Sequence, residues 1–178
     1  MLKRIIISGF GGQGGLAIGK NLAEAGMEQG FHVTWAPSYG PEMRGGTANC
    51  SVVISERPVG SPVFAVSTEL IALNEPSLEK FEADVQPGGA VFVNSDVVTD
   101  RVSRGDLSAC YIPCAKIAEE VGNPKVGNMV MLGAYVAKTG FLKPETIEAM
   151  IAQMFAGPKA KFIPLNIEAF RRGMACVE

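Results

Sequence analysis

The sequence predicts an α/β fold: a mostly parallel sheet flanked by helices, followed by a helical C-terminal third. Three observations predict it. Strand-length segments occur around Ile5-Ile6-Ile7, Leu70-Ile71-Ala72-Leu73 and residues 90–94, and the apolar run Val52-Val53-Ile54 suits a strand buried on both faces. Segments of helical character alternate with these runs, the pattern of strands joined by crossover helices. Beyond Cys114 the strand signals cease and one helix pattern follows another.

The first strand, around Ile5-Ile6-Ile7-Ser8, runs directly into Gly9-Phe10-Gly11-Gly12-Gln13-Gly14-Gly15. Gly9, Gly11 and Gly14 stand in the G-x-G-x-x-G register, which turns a strand tightly into a helix and brings backbone N–H groups close to a phosphate. A helix over 15–30 follows, with Leu16, Gly19, Ala23 and Met27 along one face. Its N-terminus adds free N–H donors and a positive dipole end, so a Rossmann-like phosphate cradle is the first hypothesis. The competing reading gives the glycines to tight packing or to another chain's backbone. A dinucleotide site also needs a carboxylate at the end of the second strand. That strand, placed over 31–36, closes on Thr34-Trp35-Ala36-Pro37, and the next carboxylate is Glu42, inside a loop. A stand-alone nucleotide-binding or NAD(P)-linked Rossmann-type enzyme is therefore the alternative, not the first choice.

The loop Ser38-Tyr39-Gly40-Pro41-Glu42-Met43-Arg44-Gly45-Gly46 carries the most chemistry in the chain. The Arg44 guanidinium fits paired oxygens of a phosphate or carboxylate. Glu42 can orient it, Ser38 and Tyr39 supply hydroxyls, and Gly45-Gly46 admits a close backbone approach. A plain Glu42–Arg44 surface pair is the alternative. Further strands are expected at 47–55, 70–74, 90–94 and 107–112, with a helix from Pro76 to about residue 83 and a turn at Gln86-Pro87-Gly88-Gly89. Helices are expected at 114–121, 128–138, 144–155 and 165–176, punctuated by Gly122, Gly140, Gly157 and Gly173. Asn128 suits an N-cap, with an amide bond to a ligand as its other reading. Gln13 either aims its amide at a ligand or holds the turn. Met27, Met129, Met131, Met150 and Met154 are expected in packing roles.

The 178 residues fit one domain, residues 1–178, with no internal repeat or linker. A formal charge of -2 with no basic run argues against nucleic-acid and anionic-membrane partners. The mean hydropathy of +0.20 with 19% charged residues points to a surface that meets other protein. No targeting segment or span of about 20 apolar residues is readable, so a soluble, cytoplasmic protein is expected. Cys50, Cys110, Cys114 and Cys176 form no C-x-x-C pair and are expected to be reduced, buried thiols. His32, at a strand start, is expected to be structural.

The glycine turn together with the Ser38-to-Gly46 loop resembles the gamma subunit, or equivalent domain, of the 2-oxoacid:ferredoxin oxidoreductases. Ser61-Pro62, Leu70-Ile71-Ala72-Leu73-Asn74, Pro87-Gly88-Gly89, Gly122-Asn123 and Asn128-Met129-Val130-Met131-Leu132-Gly133 extend the similarity over most of the chain. The resemblance implies an enzyme that oxidatively decarboxylates a 2-oxo acid with thiamine pyrophosphate, reduces ferredoxin through iron–sulfur clusters and releases an acyl-CoA. No Gly-Asp-Gly thiamine signature and no cluster motif occurs here. The resemblance thus implies a chain that is not catalytic alone and holds no metal. Its partners would be alpha, beta and ferredoxin-like subunits, which carry the thiamine and clusters, while this chain forms part of the CoA-side and inter-subunit surface. The residues expected at that surface are Gly11, Gly12, Gln13, Gly14, Ser38, Tyr39, Gly40, Glu42, Arg44, Gly45, Gly46 and Asn128. The two glycine-bounded turns are expected at the carboxyl ends of neighbouring strands, where open α/β sheets place ligands. The spelling of the second loop leans toward 2-oxoglutarate or branched-chain members.

Overall fold

A computed structural model describes residues 1–39 and 47–177. Six strands form one sheet in the order β2-β3-β1-β4-β5-β6: β1 (Leu2–Phe10), β2 (His32–Tyr39), β3 (Thr47–Ser55), β4 (Ser67–Ala72), β5 (Val85–Asn94) and β6 (Ser108–Ile112). Pairs β1–β4, β4–β5 and β5–β6 are parallel, whereas β3 is antiparallel to both β1 and β2. Five strands thus share a direction and β3 alone runs against it.

Among the described residues six α-helices accompany the sheet: α1 (Gly15–Glu28), α2 (Glu75–Phe81), α3 (Cys114–Val121), α4 (Gly127–Thr139), α5 (Pro144–Met154) and α6 (Ile163–Ala175). The larger core lies on the face where Ile5, Ile7, Ile54, Ile71, Phe92 and Ile112 meet α1, α4 and α5, with α6 laid across α4. The opposite face buries Ile6, Leu70, Val91 and Val93 against Leu78 of α2. Both faces of β1, β4 and β5 are covered, which explains their unbroken apolar runs.

Several boundaries differ from expectation. The second strand extends to Tyr39, so Ser38 and Tyr39 are strand residues. Pro37 was expected to stop it, but β2 is an edge strand, where a missing N–H interrupts no ladder. The fifth strand begins at Val85 and absorbs Pro87-Gly88-Gly89, with a register shift between Ser67 and Glu69 on β4. Gly122 and Gly140 end α3 and α4 in left-handed conformation, whereas Gly173 lies inside α6 and ends nothing. Met129, Met131 and Met150 are core residues. Met27 and Met154 are 57% and 44% exposed, which removes them from the packing role. Of the thiols, Cys50 and Cys114 are buried, Cys110 is half-buried and Cys176 is exposed, so burial holds for only part of the set. No helix among the described residues is long and apolar enough to cross a membrane.

Candidate functional site

The carboxyl ends of β1, β4 and β5 open into a cleft of about 230 Å³, floored and walled by Gly12, Gln13, Leu73, Asn94, Cys114, Lys125 and Asn128 among others. Each element delivers one of these groups. The turn after β1 is closed by a Gln13 N–H bond to the Phe10 carbonyl at 3.2 Å. The Gln13 side chain then ties two strand ends together: its Oε1 accepts from the Phe10 N–H at 2.7 Å, and its Nε2 donates to the Leu73 carbonyl at 2.9 Å. Gln13 therefore holds the turn, while still facing the cleft. A β-carbon on Gly9 would lie 2.6 Å from Gln13 Oε1 and 2.8 Å from Leu73 Cβ, so that glycine makes room for the tie.

Asn128 sits in the first turn of α4, whose cap position is Val126. The expected cap role is thus corrected, and Asn123 does capping work instead, its side-chain oxygen accepting from the Lys125 N–H at 2.9 Å. The intervening Pro124–Val126 3-10 turn displaces the helix start, leaving Asn128 beside the glycine turn. There is almost no space between the two: a β-carbon on Gly14 would lie 2.8 Å from Asn128 Cβ and Nδ2.

Among the described residues neither α1 nor α4 receives a side-chain cap, so their first N–H groups face water or an incoming acceptor. By contrast α2 is capped by Asn74, and α3 receives Asp96 Oδ2 on the Lys116 N–H at 3.0 Å. Lys125 adds a cation at the same mouth. Asn94, at the end of β5, is 8% exposed, and its Oδ1 is buried without a hydrogen-bond partner among the described residues. A buried amide oxygen left unpaired is a feature that asks for a donor. Burial, reinforced by the Asp96 carboxylate, pushes the Cys114 thiol far above the ordinary thiol range, so it stays protonated at neutral pH and serves as no nucleophile. The arrangement suits binding of an anion or amide-rich group more than bond making.

Gly11, Gly12, Gln13, Gly14 and Asn128 are accordingly brought to one rim. Ser38 and Tyr39 reach the same rim from β2, since Ser38 pairs with Asn49, Tyr39 with Ala48, and Thr47 with Phe10. The expectation that the two turns follow adjacent strands needs correction, because β3 lies between β1 and β2. It does so by returning from β2 as an antiparallel partner and filling the place beside β1. Gly40, Glu42, Arg44, Gly45 and Gly46 lie outside the described residues. Asn94 and Lys125 were not among the sequence candidates. For Asn94 the readable signal is a polar residue closing the apolar run Val91-Phe92-Val93.

A sequence profile described as pyruvate ferredoxin/flavodoxin oxidoreductase matches residues 4–176. The chain belongs to that family. It is 43% identical over 172 residues to the ketoisovalerate oxidoreductase subunit VorA of Methanothermobacter thermautotrophicus, covering 96% of this chain and 35% of VorA. It therefore spans about a third of that relative's length. It is 36% identical over 177 residues to the 2-oxoglutarate synthase subunit KorC of Methanocaldococcus jannaschii, covering 97% of this chain and 92% of KorC. Among solved structures, the gamma subunit of a keto/oxoacid ferredoxin oxidoreductase from Geobacter sulfurreducens superposes with a TM-score of 0.83 at 34% identity, covering 98% of each chain. These family relatives are named as oxidoreductase subunits, and they lend no support to a stand-alone nucleotide-binding enzyme.

Proposed function

We propose that this chain is the gamma-type component of a multi-subunit 2-oxoacid:ferredoxin oxidoreductase and that its carboxyl rim receives coenzyme A. The observation that carries this reading is the cleft lined by Gly12 and Gln13 of the turn ahead of α1, by Gly127 and Asn128 in the first turn of α4, by Lys125 and by Asn94, whose Oδ1 has no hydrogen-bond partner among the described residues. Those groups fit both ends of such a ligand: N–H donors and a lysine for phosphate oxygens, and an amide acceptor for an N–H along the pantetheine arm. Arg44, in the stretch between β2 and β3 that lies outside the described residues, is the second phosphate ligand in this reading. Thiamine pyrophosphate, on other subunits, supplies the decarboxylation chemistry. This chain positions CoA and shields the junction between subunits. The 2-oxo acid is of the branched-chain or 2-oxoglutarate class, in keeping with the names of its relatives.

In the assembled enzyme, Arg44→Ala is expected to raise the KM for CoA roughly 10- to 100-fold, corresponding to a lost charged hydrogen bond of about 1.5–3 kcal/mol. The KM for the 2-oxo acid, which the lost contact does not touch, should stay within about twofold. Steady-state kinetics at saturating ferredoxin measure both. Weakened assembly with an unchanged CoA constant would make the loop an interface element instead.

A further inference from the structure

The rim opposite the cleft carries a larger concavity that the proposed CoA role does not use. Residues 56–66, which connect β3 to β4, fold with the start of β1 around a groove of about 600 Å³. Its walls include Leu2, Val53, Val63 and Phe64, and Leu2 and Val63 are 50% and 78% exposed. The family-matching residue Ser61 forms its lip, accepting from the Val63 N–H at 3.1 Å and so fixing Val63 outward.

The polar lining of this groove is unbalanced. Arg4 and Arg57 both line it, and neither makes an ion pair among the described residues. The one carboxylate in the lining, Glu56, is engaged by the Met1 amino group. Arg4 Nε is shielded from solvent yet has no hydrogen-bond partner among the described residues. Arg4 lies opposite Val53, and Val53 opposite Thr34, so the three share one row and one face of the sheet. Thr34 Oγ1, at the far end of that row, is likewise buried and unpartnered. Shielded polar atoms without partners are rare in finished protein interiors, and here two flank one valine. A forked guanidinium beside bare apolar side chains matches a carboxylate carried on an apolar segment. A second copy of this chain fits poorly, because a two-fold contact through the groove would set arginine against arginine.

We propose that this groove seats a carboxylate-bearing, otherwise apolar segment of a partner subunit, with the carboxylate on the Arg4 guanidinium. The inference rests on the chain being a subunit, and it adds a second docking face at the end of the sheet remote from the CoA rim. The test is co-expression of the tagged chain with the enzyme's other subunits and recovery of the complex at physiological salt. Arg4→Glu and Val63→Asp are each expected to reduce partner recovery about tenfold or more, since reversed or added charge at a desolvated contact opposes binding strongly. Val63 is exposed, so its variant keeps the unfolding midpoint of the parent even where Arg4→Glu does not. In the Arg4→Lys complex, a zero-length carbodiimide should join the introduced amine to an Asp or Glu of another subunit, read by mass spectrometry. Recovery of both variants at the parental level overturns the proposal. So does a crosslink that reaches only Glu56 or a second copy of this chain. A parent chain that recovers no partner at all overturns the subunit reading itself, an outcome separable from the failure of this face alone.

Discussion

Replacing Gly173 by alanine is expected to lower the unfolding midpoint by roughly 6–12 °C, the shift that about 3 kcal/mol of overpacking produces in a chain of this length. The cause is a reciprocal backbone contact between α4 and α6. A β-carbon on Gly173 would fall on the carbonyl oxygen of Val130, and one on Gly133 would fall on that of Phe170. Neither obstacle is the movable tip of a side chain, so relief requires the helices to part. Parting them would loosen the seat of Phe170 and Ala169, both fully buried. Gly133→Ala should behave alike. The double variant should lose less than the sum, because the first substitution already separates the pair that the second would strain. Gly105→Ala, where a β-carbon meets nothing within 4 Å, is the control and should change stability by no more than about 0.5 kcal/mol. Thermal unfolding followed by circular dichroism reads all four. An unchanged midpoint for Gly173→Ala would overturn the close backbone contact between α4 and α6.

This crossing shows what a sequence conceals. Gly173 carries the same letter as Gly122 and Gly140, and those two do end helices in left-handed conformation. Nothing local distinguishes a glycine that stops a helix from one that lets two helices touch, because the deciding neighbour, Val130, is 43 positions away. The strands were legible for the opposite reason. Runs such as Val52-Val53-Ile54 carry their burial in their own composition, and the third strand spans 47–55 as its sequence predicts. Strand order was not legible, since the insertion of β3 between β1 and β2 depends on pairing rather than on any single segment. At the rim, the glycine turn announced itself through its spacing. Asn94 was visible only as the polar end of an apolar strand, and its unpaired oxygen is a property of the packed molecule. Asn128 was legible as a polar residue at a helix start but not as one inside the first turn, because the 3-10 turn at Pro124–Val126 shifted the cap position to Val126.

Gly14→Ala and Gly12→Ala separate the conformational use of the glycine turn from its use in shaping the site. Both residues have positive φ, 81° and 95°, so a side chain at either imposes a comparable backbone strain of about 1–2 kcal/mol. Around Gly12 a β-carbon meets no atom of the chain within 4 Å, so backbone strain and one methyl at the cleft wall are its effects. At Gly14 it would press on Asn128 Cβ and Nδ2 at 2.8 Å and push the start of α4 away from the turn. The cleft between the two uncapped helices widens by that displacement, and groups that must meet one ligand lose their common geometry. In the assembled enzyme, Gly14→Ala is therefore expected to lower kcat/KM for CoA by about 10- to 100-fold, the scale on which small misplacements act. Gly12→Ala should lower it by no more than about threefold, with a similar loss of thermal stability, since these effects leave the facing groups in place. Equal kinetic losses from the two variants would show that the spacing between Gly14 and Asn128 is immaterial to the ligand. A further variant, Asn128→Gly in the Gly14→Ala background, should restore part of the loss if crowding is its source, because removing the whole side chain clears the Cβ, Cγ and Nδ2 atoms that the new β-carbon meets.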